Sequence, residues 1–240
     1  MHRSTSIPQP SFRLGINRKI DNYKLLRCLG HGWEGTAYLA QERGSHAIRV
    51  LKFYRLYDDV TSKYLTQVAR ICESLGQMSV TARYFHSGQW YRQAEKLPYC
   101  VFEHLDGIRF EHLLKRKHWA RGWGETEAIG TISMLAFKLA LAHDQGFALG
   151  DFENGNNIIL CRNNDPVWCD ASFVAEDGKP NRDFREDWRM LLLIVEQLAM
   201  RKPRSRQIAK IENWLRSWRT HDFNRRSMEL IHSGIYKTSG

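Results

Sequence analysis

Short apolar runs separated by glycine and polar turns fill the first part of this chain, and apolar residues at helical spacing fill the rest. Tyr23–Leu29, Thr36–Ala40 and His46–Tyr54 read as strands, with an Arg43-Gly44-Ser45 turn before the third. Tyr64, Leu65, Val68, Ile71, Cys72 and Leu75 recur at intervals of three and four, which predicts a helix over Ser62–Leu75. Val80–Phe85 and Tyr99–Phe102 read as further strands. Beyond them the pattern predicts a short helix over Arg109–Lys117, a loop with two tryptophans over Trp119–Gly124, and a long helix over Glu125–Gln145. Ile158–Leu160 is a short apolar strand, Asp170 sits in a second strand-like patch, and Trp188–Met200 is an apolar helix. In 201–220, Ile208, Ile211, Trp214, Leu215 and Trp218 are helically spaced, and seven Arg or Lys against one Glu leave the other face cationic. Ser227–Ile235 reads as a final short helix. No internal repeat is present.

Candidate chemistry concentrates between His143 and Asp170. Asp151, Asn156 and Asn157 lie in a loop after the long helix, and Asp170 follows the next apolar strand. Two acids and an amide gathered by a hairpin suit a magnesium ion and a phosphoryl group. Gly30, Gly32 and Gly35 fall between two strands, so they are not a dinucleotide fingerprint, whose glycines open a helix. They are not a Walker loop either, which continues G-K-[ST]. A tight turn accounts for them, and so does a hairpin lying over phosphates, where missing side chains let backbone N–H groups approach a ligand.

Lys52 interrupts an apolar strand, as an edge lysine does or a charge aimed into a cleft. Arg49, three residues earlier, competes for that role and points to the opposite face. Spacing from the glycines favours Lys52. Glu73 on the predicted helix is a candidate partner for Lys52, or a solvent-facing glutamate. The strand ending at Phe102 empties into Glu103-His104-Leu105-Asp106-Gly107, which suits a hinge. Backbone groups at Glu103 and Leu105 can there hydrogen-bond an adenine-sized ring, with Phe102 guarding the space behind it.

Composition narrows the partners more than the fold. The 240 residues suffice for one large domain or two small lobes, and 42% apolar with 26% charged residues is ordinary for a soluble globular protein. A net charge of +10 favours contact with something acidic, such as nucleotide phosphates, an acidic protein, nucleic acid or a membrane surface. No base-reading arrangement accompanies the arginines. The five cysteines are odd in number, lie far apart and contain no C-x-x-C, which argues against a disulfide framework or structural zinc. No 18-residue apolar run exists, so no membrane span is expected. Residues 1–22 read as a flexible basic arm.

Taken together these pieces resemble the protein-kinase-like superfamily. Gly30, Gly32 and Gly35 match its glycine-rich loop and Lys52 its phosphate-anchoring lysine. Leu149-Gly150-Asp151 stands where that family has H-R-D or H-G-D, and Asp170-Ala171-Ser172 where it has D-F-G. Asp187 resembles the aspartate that braces the catalytic loop. The resemblance implies an α+β, bilobal protein-kinase-like fold: a small antiparallel β-sheet N-lobe over 23–103 and a reduced, mostly helical C-lobe over 104–240. It implies ATP and Mg²⁺ as cofactors, Asp151 as catalytic residue, and Asn157 with Asp170 on the metal, Asn156 being the fallback. The implied activity is that of a minimal serine/threonine protein kinase. A small-molecule kinase of aminoglycoside type and a pseudokinase scaffold stay open beside it.

The departures are specific. Glu153 replaces the lysine or histidine that neutralises the transferring group. The D-F-G phenylalanine and glycine are gone. Asp187 follows Asp170 by only 17 positions, with no A-P-E-like anchor between them. Such a minimal member is arranged constitutively or activated by a protein partner. It resembles the compact kinases that bacteria deliver into host cells, so the expected location is cytoplasmic or, for an effector, the host cell.

Overall fold

Alternating apolar residues build the first part of the molecule. The computed structural model describes residues 14–32, 34–55, 60–92, 95–115, 123–170, 182–201, 205–218, 231–235 and 237. Its elements are β1 (Lys19–Ile20), β2 (Tyr23–His31), β3 (Gly35–Glu42), β4 (Ile48–Tyr54), α1 (Val60–Gln77), β5 (Tyr84–Arg92), β6 (Glu95–Glu103), β7 (Ile108–Arg109), α2 (Phe110–Lys115), α3 (Glu125–Asp144), β8 (Ile158–Leu160), β9 (Pro166–Trp168), α4 (Phe184–Arg201) and α5 (Arg206–Ser217). The chain divides into two compact units. One takes in residues up to Thr61 together with Tyr84–His104, and the other Ser62–Arg83 with Leu105 onward.

The first unit is an antiparallel sheet in the order β1-β2-β3-β4-β6-β5. Leu25, Tyr38, Ala40, Leu51, Phe53, Tyr99 and Val101 alternate onto one face and close a core of their own with Leu14, Ile20, Tyr23 and Leu97. Phe53 links its rings, edge-on to Tyr38 at 5.9 Å and tilted against Tyr99 at 5.4 Å. The Tyr99 hydroxyl donates to Asp21, and burial together with that bond raises the phenol above its ordinary pKa.

Residues 14–22, expected within a flexible arm, belong to this sheet. Leu14 N–H donates to the Tyr38 hydroxyl (2.7 Å), Asn17 N–H to Leu25 O (2.7 Å), and Ile20 is fully buried. Two apolar residues anchor a stretch that composition alone makes look unstructured. The first thirteen residues of the expected arm lie outside the described residues.

The strand expected at Val80–Phe85 is displaced. Val80, Thr81 and Ala82 are buried in a turn that bonds to Trp168 (Trp168 N to Val80 O 3.0 Å, Ala82 N to Trp168 O 2.9 Å), and β5 runs from Tyr84 to Arg92. As the outermost strand β5 exposes Phe85, His86, Ser87, Gln89 and Tyr91, so it lacks the apolar signature of an inner strand. The same bonds to Trp168 explain why α1 and the turn after it group with the second unit, although 23–103 was expected as one lobe.

In the second unit α3 packs on α4, α4 on α5, and a small sheet ordered β7-β8-β9 lies beside them. Lys138, on the buried face of α3, is only 4% exposed. Its ammonium donates to Ser79 O (2.7 Å) and Pro166 O (2.8 Å) and pairs with Asp165 Oδ1 (2.7 Å), so each of its three protons has an acceptor. Burial lowers its pKa, with the bond and charge of Asp165 opposing. One buried cation thus ties α3, the turn after α1 and the start of β9 together. The Arg109–Lys117 helix is α2, and 116–122, including Trp119 of the expected tryptophan loop, lie outside the described residues. So do Ala171 and Ser172, the loop through Gly178 and Pro180, and 227–230 of the expected last helix, of which 231–235 are helical. Among the described residues no helix is long and apolar enough to cross a membrane.

Lys138→Met keeps the volume and removes the donor, which deprives one buried carbonyl (Pro166), one part-buried carbonyl (Ser79) and Asp165 of their partner. It is expected to lower stability by about 2–4 kcal/mol in urea unfolding, with the midpoint moving and the slope unchanged.

Candidate functional site

The loop after α3 is shaped by residues that accept left-handed backbone. Gly146 (φ 83°) ends the helix, and Gly150 (φ 58°), Asp151 (φ 50°), Gly155 (φ 69°) and Asn157 (φ 58°) turn the chain on its way to β8. A Cβ on Gly155 would also crowd Leu114 Cδ1 (2.8 Å) and Glu111 N (3.1 Å), which adds to the preference for glycine set by its φ.

Underneath the loop lies Asp187, in the first turn of α4 and 0% exposed. Its Oδ2 accepts from Leu149 N–H (2.9 Å) and its Oδ1 from Gly150 N–H (2.7 Å). His143 Nε2 lies 2.7 Å from Oδ2, and because a carboxylate only accepts, this nitrogen is the donor. The imidazole is itself fully buried and packs on Phe184 at 4.4 Å. Phe152 is buried edge-on to Trp168 (5.5 Å), and its N–H meets Met190 Sδ at 3.2 Å. Asp151 is therefore exposed between two anchored neighbours, Gly150 and Phe152.

Two amides hold the Asp151 side chain. Asn157 Nδ2 donates to Asp151 Oδ2 and to its carbonyl, both at 2.9 Å. Asn156 Nδ2 reaches Oδ1 at 3.3 Å and the carbonyl at 3.2 Å. Asn156 Oδ1 is engaged by Asn154 N–H (3.3 Å), whereas no described residue donates to Asn157 Oδ1. The β8–β9 hairpin brings in the second acid: Cys169 N–H donates to Asn157 O (2.8 Å), and Asp170 is the next residue, half-buried. Glu153 is exposed, and Gln197 from α4 holds this end of the loop through Glu153 O (3.4 Å) and Asn154 Oδ1 (3.1 Å). Among the described residues no three His, Cys, Asp or Glu gather as a metal cage. One carboxylate and one amide oxygen instead suit Mg²⁺, which keeps waters and phosphate oxygens as its other ligands.

In the first unit Gly30 lies in β2, Gly32 in the turn and Gly35 at the start of β3, with Gly32 N–H donating to Gly35 O (2.9 Å). A Cβ on Gly35 would fall 1.9 Å from Phe53 O, so this glycine is required by close packing of β3 on β4 whatever else the turn does. Lys52 pairs across the sheet with Ala37 and Cys100, on the face opposite the closed core. It is 12% exposed at its side chain and meets Glu34 at 3.0 Å and the Tyr54 ring at 5.1 Å. Burial pushes the Cys100 thiol up to about 12, against the lowering pull of Lys52. Arg49, the competitor, lies instead over Phe85 (4.4 Å) and 3.9 Å from Glu42. Glu73 is exposed on α1, Glu103 ends β6 opposite Arg49, and Leu105 is half-buried just beyond.

The architecture matches solved protein kinase domains. The kinase domain of Mycobacterium tuberculosis PknI aligns with a TM-score of 0.64 at 16% identity, and a single-substitution mutant of it with 0.66 at 17%. Each alignment covers 95% of this chain and 100% of that domain. No family profile and no curated protein matches the sequence. At such identity the likeness is one of fold, and the chain has the α+β protein-kinase-like fold.

Three residues escaped sequence reasoning. His143, near the end of the helix expected over Glu125–Gln145 and given no role there, donates to Asp187. Lys138 sits three residues after Leu135 on an apolar face, a legible signal for a buried cation. Glu34, within the glycine run itself, is the acid that meets Lys52.

Asp187→Ala would strand two N–H groups and an imidazole in the interior, at a cost of about 3–5 kcal/mol. Asp187→Asn retains one acceptor oxygen and should lose less. Thermal unfolding of the two variants should rank them in that order.

Proposed function

We propose that the protein is an ATP-dependent phosphotransferase, a minimal serine/threonine protein kinase that transfers the γ-phosphoryl group to a hydroxyl. The observation that carries the reading is Asp151, an exposed carboxylate gripped by Asn156 and Asn157 in a loop braced from below by Asp187. Rigid anchoring of an otherwise solvated acid is what orienting a nucleophile requires, because catalysis of phosphoryl transfer rests mainly on positioning and charge.

Roles for the other residues follow their chemistry. Backbone N–H groups of 30–35 would cover the phosphates, and Lys52 would pair with their oxygens. Glu103 and Leu105 would offer backbone groups to the adenine. Asn157, through its Oδ1, and Asp170 would hold Mg²⁺, and the Asn156 oxygen, already occupied, makes it the weaker choice. Bound Mg²⁺ and ATP supply the activated phosphoryl group and neutralise its charge. Asp151 would accept the proton of the attacking hydroxyl.

Glu153 adds negative charge where a cation would help, so another positive group must compensate for it. The basic balance of the chain suits an acidic protein substrate or activating partner better than a cationic small molecule.

Purified protein incubated with radiolabelled ATP and Mg²⁺ should label itself or an added protein acceptor. Asp151→Asn should lower labelling at least about 100-fold with the melting temperature unchanged. Nucleotide binding without transfer to any protein or small-molecule acceptor would replace this reading with a binding scaffold. Absence of any nucleotide-induced thermal shift would remove the phosphate-loop assignment.

A further inference from the structure

The glycine-rich turn carries its own acid, and that acid faces the lysine. Glu34 Oε2 lies 3.0 Å from Lys52 Nζ, with the two side chains 26% and 12% exposed. The placement is set by backbone. Glu34 O accepts from Arg55 N–H (2.9 Å), Gly32 N–H donates to Gly35 O (2.9 Å), and Gly35 packs on Phe53 too closely for any other residue. Glu34 is thus tied to the strand end beyond Lys52 on one side and to the β3–β4 ladder on the other. Within α1, Glu73 is the sole acid, and it is exposed.

We infer that Glu34 is a specificity-determining residue: it selects polyphosphates already complexed with a divalent cation over the free polyanion. The inference rests on the nucleotide reading given above. An ammonium has three N–H bonds and can serve a carboxylate and a phosphate oxygen together. The two anions then stand within about 5 Å of each other, in a half-buried place where like charges repel more strongly than in bulk water. A divalent cation removes much of the polyphosphate charge and so much of that repulsion. Free nucleotide meets all of it. A glutamate of the glycine-rich turn places a carboxylate in the proposed phosphate cradle itself.

The test is a set of ATP dissociation constants by calorimetry, in EDTA and in excess Mg²⁺, for wild type, Glu34→Gln and Glu34→Asp. Glu34→Gln should bind free ATP about tenfold tighter while the Mg²⁺ complex gains about threefold at most. Glu34→Asp, which keeps the charge, should keep the wild-type preference. Equal tightening of both forms, or weaker binding of either, overturns the proposal.

A second readout needs no nucleotide. Labelling of Lys52 by an amine-directed reagent should accelerate in Glu34→Gln, since the wild-type carboxylate engages the amine at 3.0 Å. An unchanged labelling rate would dispose of the pair and the proposal together. If labelling responds but neither protein binds ATP, the nucleotide reading falls and takes this one with it. If ATP binds and the ratio of free to Mg²⁺-bound affinities does not move, the selectivity proposal alone falls.

Discussion

A single buried carboxylate carries the most consequential arrangement in this molecule. Asp187 has no access to water, and it is tolerable there because Leu149 N–H, Gly150 N–H and the His143 imidazole all donate to it. Each of those donors is also a constraint on position. The two amides fix the backbone just before Asp151, and the imidazole fixes the end of α3 from which that loop departs. The exposed acid is therefore aimed by an interior one, and its left-handed backbone is maintained from below.

Lys138 does comparable work from the other side of the same unit. Its ammonium ties α3 to the turn after α1 and to the β8–β9 connection, and that hairpin carries Asn157 just before β8 and Asp170 just after β9, both at its open end. Charged groups in the interior are expensive unless every proton or lone pair finds a partner. Each proton of Lys138 and both oxygens of Asp187 find a partner, and the cost of breaking either arrangement holds the loop and the hairpin in one geometry. The first unit shows the same economy at Lys52, whose partly buried charge is met by an acid from the adjacent turn.

Much of this was legible in the chain. Inner strands such as β3 and β4 alternate because one face closes a core, and α3 and α4 show helical spacing because they bury a stripe. Asp151, Asn157 and Asp170 could be singled out as candidates because two acids and an amide flank a short apolar strand. The edge strand β5 was not legible, since a strand paired on one side only need not carry an apolar face. Nor was the membership of residues 14–22 in the sheet, which depends on Leu14 and Ile20 finding a core assembled from residues up to 87 positions away.

By itself the sequence showed the inner strands and the long helices, the glycine turn and the loop that carries the candidate acids, and it favoured Lys52 over Arg49 as the charge aimed into a cleft. These are local matters, written in periodicity and in residues that accept unusual backbone. Only the tertiary structure decided the partners: His143 with Asp187, Lys138 with Asp165 and two carbonyls, and Glu34 rather than a helix acid beside Lys52. Ion pairs and buried hydrogen bonds join residues that spacing does not relate, through a burial that exists only once the chain has folded. A sequence shows which residues carry charge, and the fold alone shows which of those charges must be answered.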